Sequence, residues 1–114
     1  MALSSYLVVV EKPGDMESLK KAFIDLADTD ADFSGENGDD YLRDEAREAG
    51  YESNAEYYAE KVIKEGIENG QTQVQMLENY LGVWIGGDSY YKEYDYTWQT
   101  DGDDLKAVAV AISY

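Results

Sequence analysis

Asp40, Asp44 and Glu48 recur at every fourth position, and Glu52, Glu56 and Glu60 repeat the pattern. On a helix, side chains four apart lie about 5–6 Å from one another, so each set would form a row of negative charge. Phosphates along one nucleic-acid strand recur at a similar distance, roughly 6–7 Å, in a duplex that rises 3.4 Å per base pair. Like charges at this spacing destabilise a helix by a few tenths of a kcal/mol per pair. The rows therefore oppose folding, and the chemistry they suit is recognition of a basic surface.

The rows belong to a longer acidic run. From Asp28 to Glu60 there are twelve carboxylates (Asp28, Asp30, Asp32, Glu36, Asp39, Asp40, Asp44, Glu45, Glu48, Glu52, Glu56 and Glu60) and only two arginines, Arg43 and Arg47. A solvated face accounts for many charge runs. The one-sidedness of this run favours imitation of a phosphate backbone, offered to the Lys/Arg groove of a nucleic-acid-handling protein. The expected contact residues are Asp39, Asp40, Asp44, Glu45, Glu48, Glu52, Glu56 and Glu60, joined by Tyr57 and Tyr91 as aromatic anchors. Tyrosine suits binding hot spots because it combines large contact area, few rotors and a polar tip.

A second constellation lies in the same run. Asp30, Asp32 and Ser34 place oxygens at positions one, three and five of a calcium loop, and Gly35 stands at position six, where the chain must turn sharply. The second half departs from that pattern. Position eight is Asn37 rather than an aliphatic residue, and position twelve is Tyr41, which has no bidentate carboxylate. A degenerate calcium-binding module is one alternative function.

Catalytic chemistry has little material to work with. The chain has no histidine and no cysteine, which removes the commonest general base, thiolate nucleophiles and disulfides. Carboxylate pairs remain, and Asp101, Asp103 and Asp104 could bind a metal. No acid is placed beside an activated nucleophile, so the sequence reads as a binding protein rather than an enzyme, with no cofactor.

Composition points the same way. Across 114 residues, 25 Asp and Glu oppose 9 Lys and Arg, a net charge of −16, which repels nucleic acid and anionic membrane and attracts cationic partners. Lysines outnumber arginines seven to two and there are 11 tyrosines, which argues against simple salt adaptation of the surface. No apolar stretch approaches the roughly 20 residues of a membrane span, and the start, Met1 to Ser5, lacks the basic, apolar pattern of a signal peptide. A cytoplasmic location is expected.

In size, charge and tyrosine content over its whole length, the chain resembles the small acidic proteins that phages and mobile elements direct against restriction enzymes and CRISPR effectors. It is more distantly similar to the acidic immunity proteins that neutralise nuclease toxins. The resemblance implies an inhibitor of a basic nucleic-acid-binding protein in the cytoplasm of a host cell. The second likeness implies an immunity or adaptor protein for a basic protein. No family motif is matched, so no functional residue is carried over.

The elements that must position these residues can be read in order. Tyr6–Val10 is a β-branched strand ended by Pro13-Gly14. A helix begins near Asp15 and buries Met16, Leu19, Phe23 and Leu26 or Ala27 at three- and four-residue spacing. Asp28 to Asp40 is a loop. A short helix covers Tyr41–Ala49 and stops at Gly50. Another opens at the capping box Ser53-Asn54-Ala55-Glu56, stops near Gly70, and buries Ala55, Tyr58, Ala59, Val62, Ile63 and Ile67. A further box at Thr72 opens a short helix through Met76, Leu77 and Tyr80, after which Val83–Ile85 turns to strand. Tyr90–Gln99 and Leu105–Tyr114 form a hairpin over Thr100 to Asp104. Tyr90, Tyr94, Tyr96 and Trp98 then share the core side of the sheet, while Tyr91 falls on the other face. The expected fold class is α+β: a small antiparallel sheet with helices packed on one face, a two-layer single domain over residues 1–114.

Overall fold

The computed structural model describes residues 3–29, 40–85 and 93–113. It has strand β1 (Leu3–Val9), helices α1 (Met16–Asp28), α2 (Asp40–Glu48), α3 (Asn54–Glu68) and α4 (Gln73–Ile85), and strands β2 (Glu93–Asp101) and β3 (Asp104–Ser113). The strands form one antiparallel sheet in the order β1-β3-β2. The last strand is therefore central, with the first and second on its two edges. The fold is the expected small α+β domain, and its extents of 36 × 35 × 20 Å are those of a plate two layers thick.

Alternation decides which side of the sheet is covered. On β3, Leu105, Val108 and Val110 are buried, and Val8 and Val10 from the β1 side join them. Opposite them lie Leu19, Ala22, Phe23, Leu26 and Ala27 of α1 and Met76, Leu77, Tyr80 and Leu81 of α4. Phe23 and Tyr80 stack at 5.0 Å near the centre, and the buried Tyr80 hydroxyl donates to the Ala55 carbonyl at 3.0 Å. Burying a ring such as Phe23 contributes about 2–3 kcal/mol. Tyr96 packs at the margin of this core, whereas Trp98, on the same side, is 41% exposed.

The starts of α1, α3 and α4 are each stated by a local signal. Asp15 accepts from the Ser18 amide at 3.0 Å, Ser53 from the Glu56 amide at 3.2 Å, and Thr72 from the Gln75 amide at 3.1 Å. The Thr72 box is reciprocal, because Gln75 Oε1 accepts from the Thr72 amide at 2.9 Å. Gly50 and Gly70, with φ of 89° and 66°, take the left-handed conformation that ends α2 and α3.

Three expectations are corrected. Val83–Ile85 is the last turn of α4 and not a strand. The apolar spacing of Leu77, Tyr80 and Leu81 carries the helix onto the sheet, and Val83 packs against the core from its end. Ile67 is 57% exposed rather than buried, since it lies in the last turn of α3. Glu52 precedes the Ser53 cap, so it stands in the turn before α3 and does not continue a helical row with Glu56 and Glu60.

Candidate partner-binding surface

Helix α2 is held on α3 by a few definite contacts. Ala46 is fully buried, Leu42 is half-buried, and the Tyr58 hydroxyl donates to the Leu42 carbonyl at 3.0 Å. Arg47 Nη1 donates to the Tyr51 carbonyl at 3.1 Å and to Asn54 Oδ1 at 3.3 Å, which fixes the turn between the helices. These contacts choose the face of α2 that meets water, and Asp44 and Glu48 lie on it.

The acidic residues divide into two groups. Glu45, Glu56 and Glu60 face lysines. Lys61 Nζ lies 3.0 Å from Glu45 Oε2, and Lys20 Nζ lies 2.5 Å from Glu60 Oε1 and 3.5 Å from Glu56 Oε1. The Tyr51 hydroxyl donates to the second oxygen of Glu60. The Lys20 hydrogen bond, reinforced by that of Tyr51, holds the Glu60 carboxyl below the usual carboxylate range. The Lys61 hydrogen bond does the same for Glu45, against the opposing effect of burial. Lys20 and Lys61 are raised in turn by the hydrogen bonds they donate to Glu60 and Glu45. These pairs join α1 and α2 to α3, so part of the acidic pattern serves the fold.

Asp44, Glu48 and Glu52 form the second group. All three are exposed and have no ion pair among the described residues. They follow one another along α2 and into the turn, and Lys20 and Lys61 are engaged with the other group. With only Arg43 and Arg47 among them, the result is a local field of net negative sign.

Tyr57 is half-buried rather than a free anchor. Its ring meets Tyr51 edge-on at 5.3 Å and Tyr58 at 4.8 Å, and burial, with the Glu45 hydrogen bond, raises its hydroxyl above the ordinary tyrosine value. Beside this cluster a groove of about 360 Å³ runs between α1 and α3, lined by Met16, Ile63 and Ile67 and rimmed by Glu17, Lys20, Glu60, Lys64 and Glu68. It has an apolar floor that the sequence pattern, which placed Ile67 in the core, did not disclose.

Asp39, Tyr91 and the calcium-loop residues Asp30, Asp32 and Ser34 lie outside the described residues, as does the side chain of Asp40. Among the described residues, no group of three or more acids is arranged to hold a metal ion. Asp101, Asp103 and Asp104 are therefore not a metal cluster, and Asp104 instead accepts from Gln73 Nε2 at 3.2 Å. Among the described residues no helix is long and apolar enough to cross a membrane. No protein-family model, curated protein or solved structure matches the chain.

Proposed function

We propose that the protein is an acidic inhibitor that occupies the basic nucleic-acid-binding surface of a protein partner, a CRISPR effector or restriction complex, and so blocks target entry. The observation that carries this reading is the separation of the carboxylates. Glu45 and Glu60 are neutralised by lysines, whereas Asp44, Glu48 and Glu52 face water and make no ion pair among the described residues, even with Arg43 and Arg47 next to them in the sequence. Exposed charge of one sign speeds encounter with an oppositely charged groove and fixes its register. The half-exposed apolar floor formed by Met16, Ile63 and Ile67 would accept the aliphatic stem of a partner's lysine or arginine, with the head reaching Glu17 or Glu68.

The test is a variant carrying Asp44→Asn, Glu48→Gln and Glu52→Gln. It should keep its helical spectrum and lose at least tenfold in affinity for the nucleic-acid-binding complex that the wild type retains from a bacterial lysate. Added duplex DNA should displace the wild type. Retention that DNA does not compete for would instead assign the protein an immunity or adaptor role, and undiminished affinity in the triple variant would overturn the acidic surface as the contact.

A further inference from the structure

The two edges of the sheet are built differently. Strand β2 carries Glu93, Asp95 and Asp101 along its length and has a bulge between Gln99 and Thr100. Charge and bulges are the devices by which edge strands avoid pairing with another chain. Strand β1, Leu3-Ser4-Ser5-Tyr6-Leu7-Val8-Val9, has no charge, no proline and no register shift. In a chain of net charge −16 this is an unusual stretch to leave at an edge.

Parity shows what that edge offers. The Val10 amide donates to the Lys106 carbonyl at 2.9 Å, so even-numbered residues of this strand turn their backbone groups toward β3, and Ser5, Leu7 and Val9 turn theirs outward. The same three residues put their side chains on the sheet face on which none of the described helices packs, where Leu7 is 68% and Val9 55% exposed. Ala107, Ala109 and Ala111 of β3 adjoin them on that face.

We infer that β1 pairs antiparallel with β1 of a second copy of this chain, joining two three-stranded sheets into one of six strands. The inference is independent of the acidic-surface reading. Two arguments select a second copy as the occupant. A basic partner drawn by charge finds no carboxylate on this strand, whereas two strongly acidic chains can approach only through an uncharged one. The strand is also self-complementary: a two-fold axis through Tyr6 sets Ser5 opposite the second copy's Leu7, and residue 3 opposite its Val9. Every outward-facing residue then meets an outward-facing residue, giving about eight backbone hydrogen bonds. Leu7 and Val9 of both copies form one apolar strip on the open face, and the two Tyr6 rings become cross-strand neighbours on the helical side. An interface of seven residues per strand is at the small end of specific pairs, so a dissociation constant on the order of tens of micromolar is expected.

Sedimentation of the full chain tests this. At about 100 μM and 0.5 M NaCl most of the wild type should sediment as a dimer, with an average mass well above the 12.8 kDa of one chain, and the dimer should weaken at low salt, because the two copies repel. Leu7→Pro removes an outward amide and spares the ladder to β3, and Leu7→Glu adds like charge at the edge without a backbone constraint. Each should give a monomer with an unchanged circular dichroism spectrum, and the second stands as the control should the first fail to fold. Ala109→Glu, in the centre of the open face, should leave the dimer intact. A wild-type monomer at high salt, a dimer that survives Leu7→Glu, or one abolished by Ala109→Glu would overturn the pairing. The last result would mean that the open faces stack instead.

Discussion

Glu60 illustrates how little a residue's charge reveals of its task. Its sequence context is that of one more acid in a repeating row, yet Lys20 and Tyr51 converge on its two oxygens. Glu60→Gln should lower stability by about 1 kcal/mol, discounted from the usual value of a charged hydrogen bond because both partners are partly exposed. The pH dependence has a definite sign. The folded Glu60 carboxyl is lowered, so its contribution is present above about pH 4.3 and is lost as pH falls through the folded value. Lys20 is raised, so its contribution is present below about pH 10.4 and is lost as pH rises through its folded value. Urea midpoints of wild type and Glu60→Gln should therefore differ most between about pH 5 and 9 and converge at both extremes. A constant difference at all pH values would show that Lys20 and Glu60 do not act as an ion pair. The acidity of the surface was legible in the sequence. The split between paired and unpaired acids was not, because Lys20 reaches Glu60 across 40 residues and Lys61 reaches Glu45 across 16.

At the scale of elements, local signals were read well and long-range ones poorly. The caps at Asp15, Ser53 and Thr72 and the stops at Gly50 and Gly70 set the helix boundaries, because each is a hydrogen bond or a backbone conformation made within a few residues. Val83–Ile85 misled, since a run of β-branched and aromatic residues at the end of an apolar helix suits strand and buried helix alike. The place of β1 beside β3 joins residues about a hundred positions apart, and no short-range pattern encodes it. One side chain ties these distant parts together. Gln73, at the first turn of α4 and only 8% exposed, accepts from the Leu105 amide at 2.7 Å and donates to Asp104 at 3.2 Å. It thereby locks the β2–β3 hairpin to the helical layer. Gln73→Met keeps the volume but orphans the buried Leu105 amide, and should cost about 1–3 kcal/mol in chemical denaturation. Amide exchange at Leu105 should accelerate with it. A loss below about 0.5 kcal/mol would mean that the hairpin docks through its apolar side chains alone.

For the whole molecule, the decisive quantity is the −16 net charge spread over a plate 36 × 35 × 20 Å. Two like charges 10 Å apart in water repel by about 0.4 kcal/mol, and 0.1 M salt brings the screening length to roughly that distance. Many such pairs act at once, so screening should stabilise the folded state, while the ion pairs among the described residues are in direct contact and lose less. Between 10 mM and 0.5 M NaCl the thermal midpoint should rise by roughly 5 °C, the change that about 1 kcal/mol produces in a domain near this size. The Asp44→Asn, Glu48→Gln, Glu52→Gln variant should start higher at low salt and rise less, because it lacks three exposed carboxylates that make no ion pair among the described residues. Capture by a basic partner must respond in the opposite sense, since the same ions screen the attraction that guides encounter. Opposite salt slopes for stability and partner binding, both flattened by the same three amides, are the joint signature of a surface whose charge opposes folding and favours association. A midpoint indifferent to salt in the wild type would mean that these carboxylates are too far apart or too well hydrated to repel, and would remove the energetic cost that association has to offset.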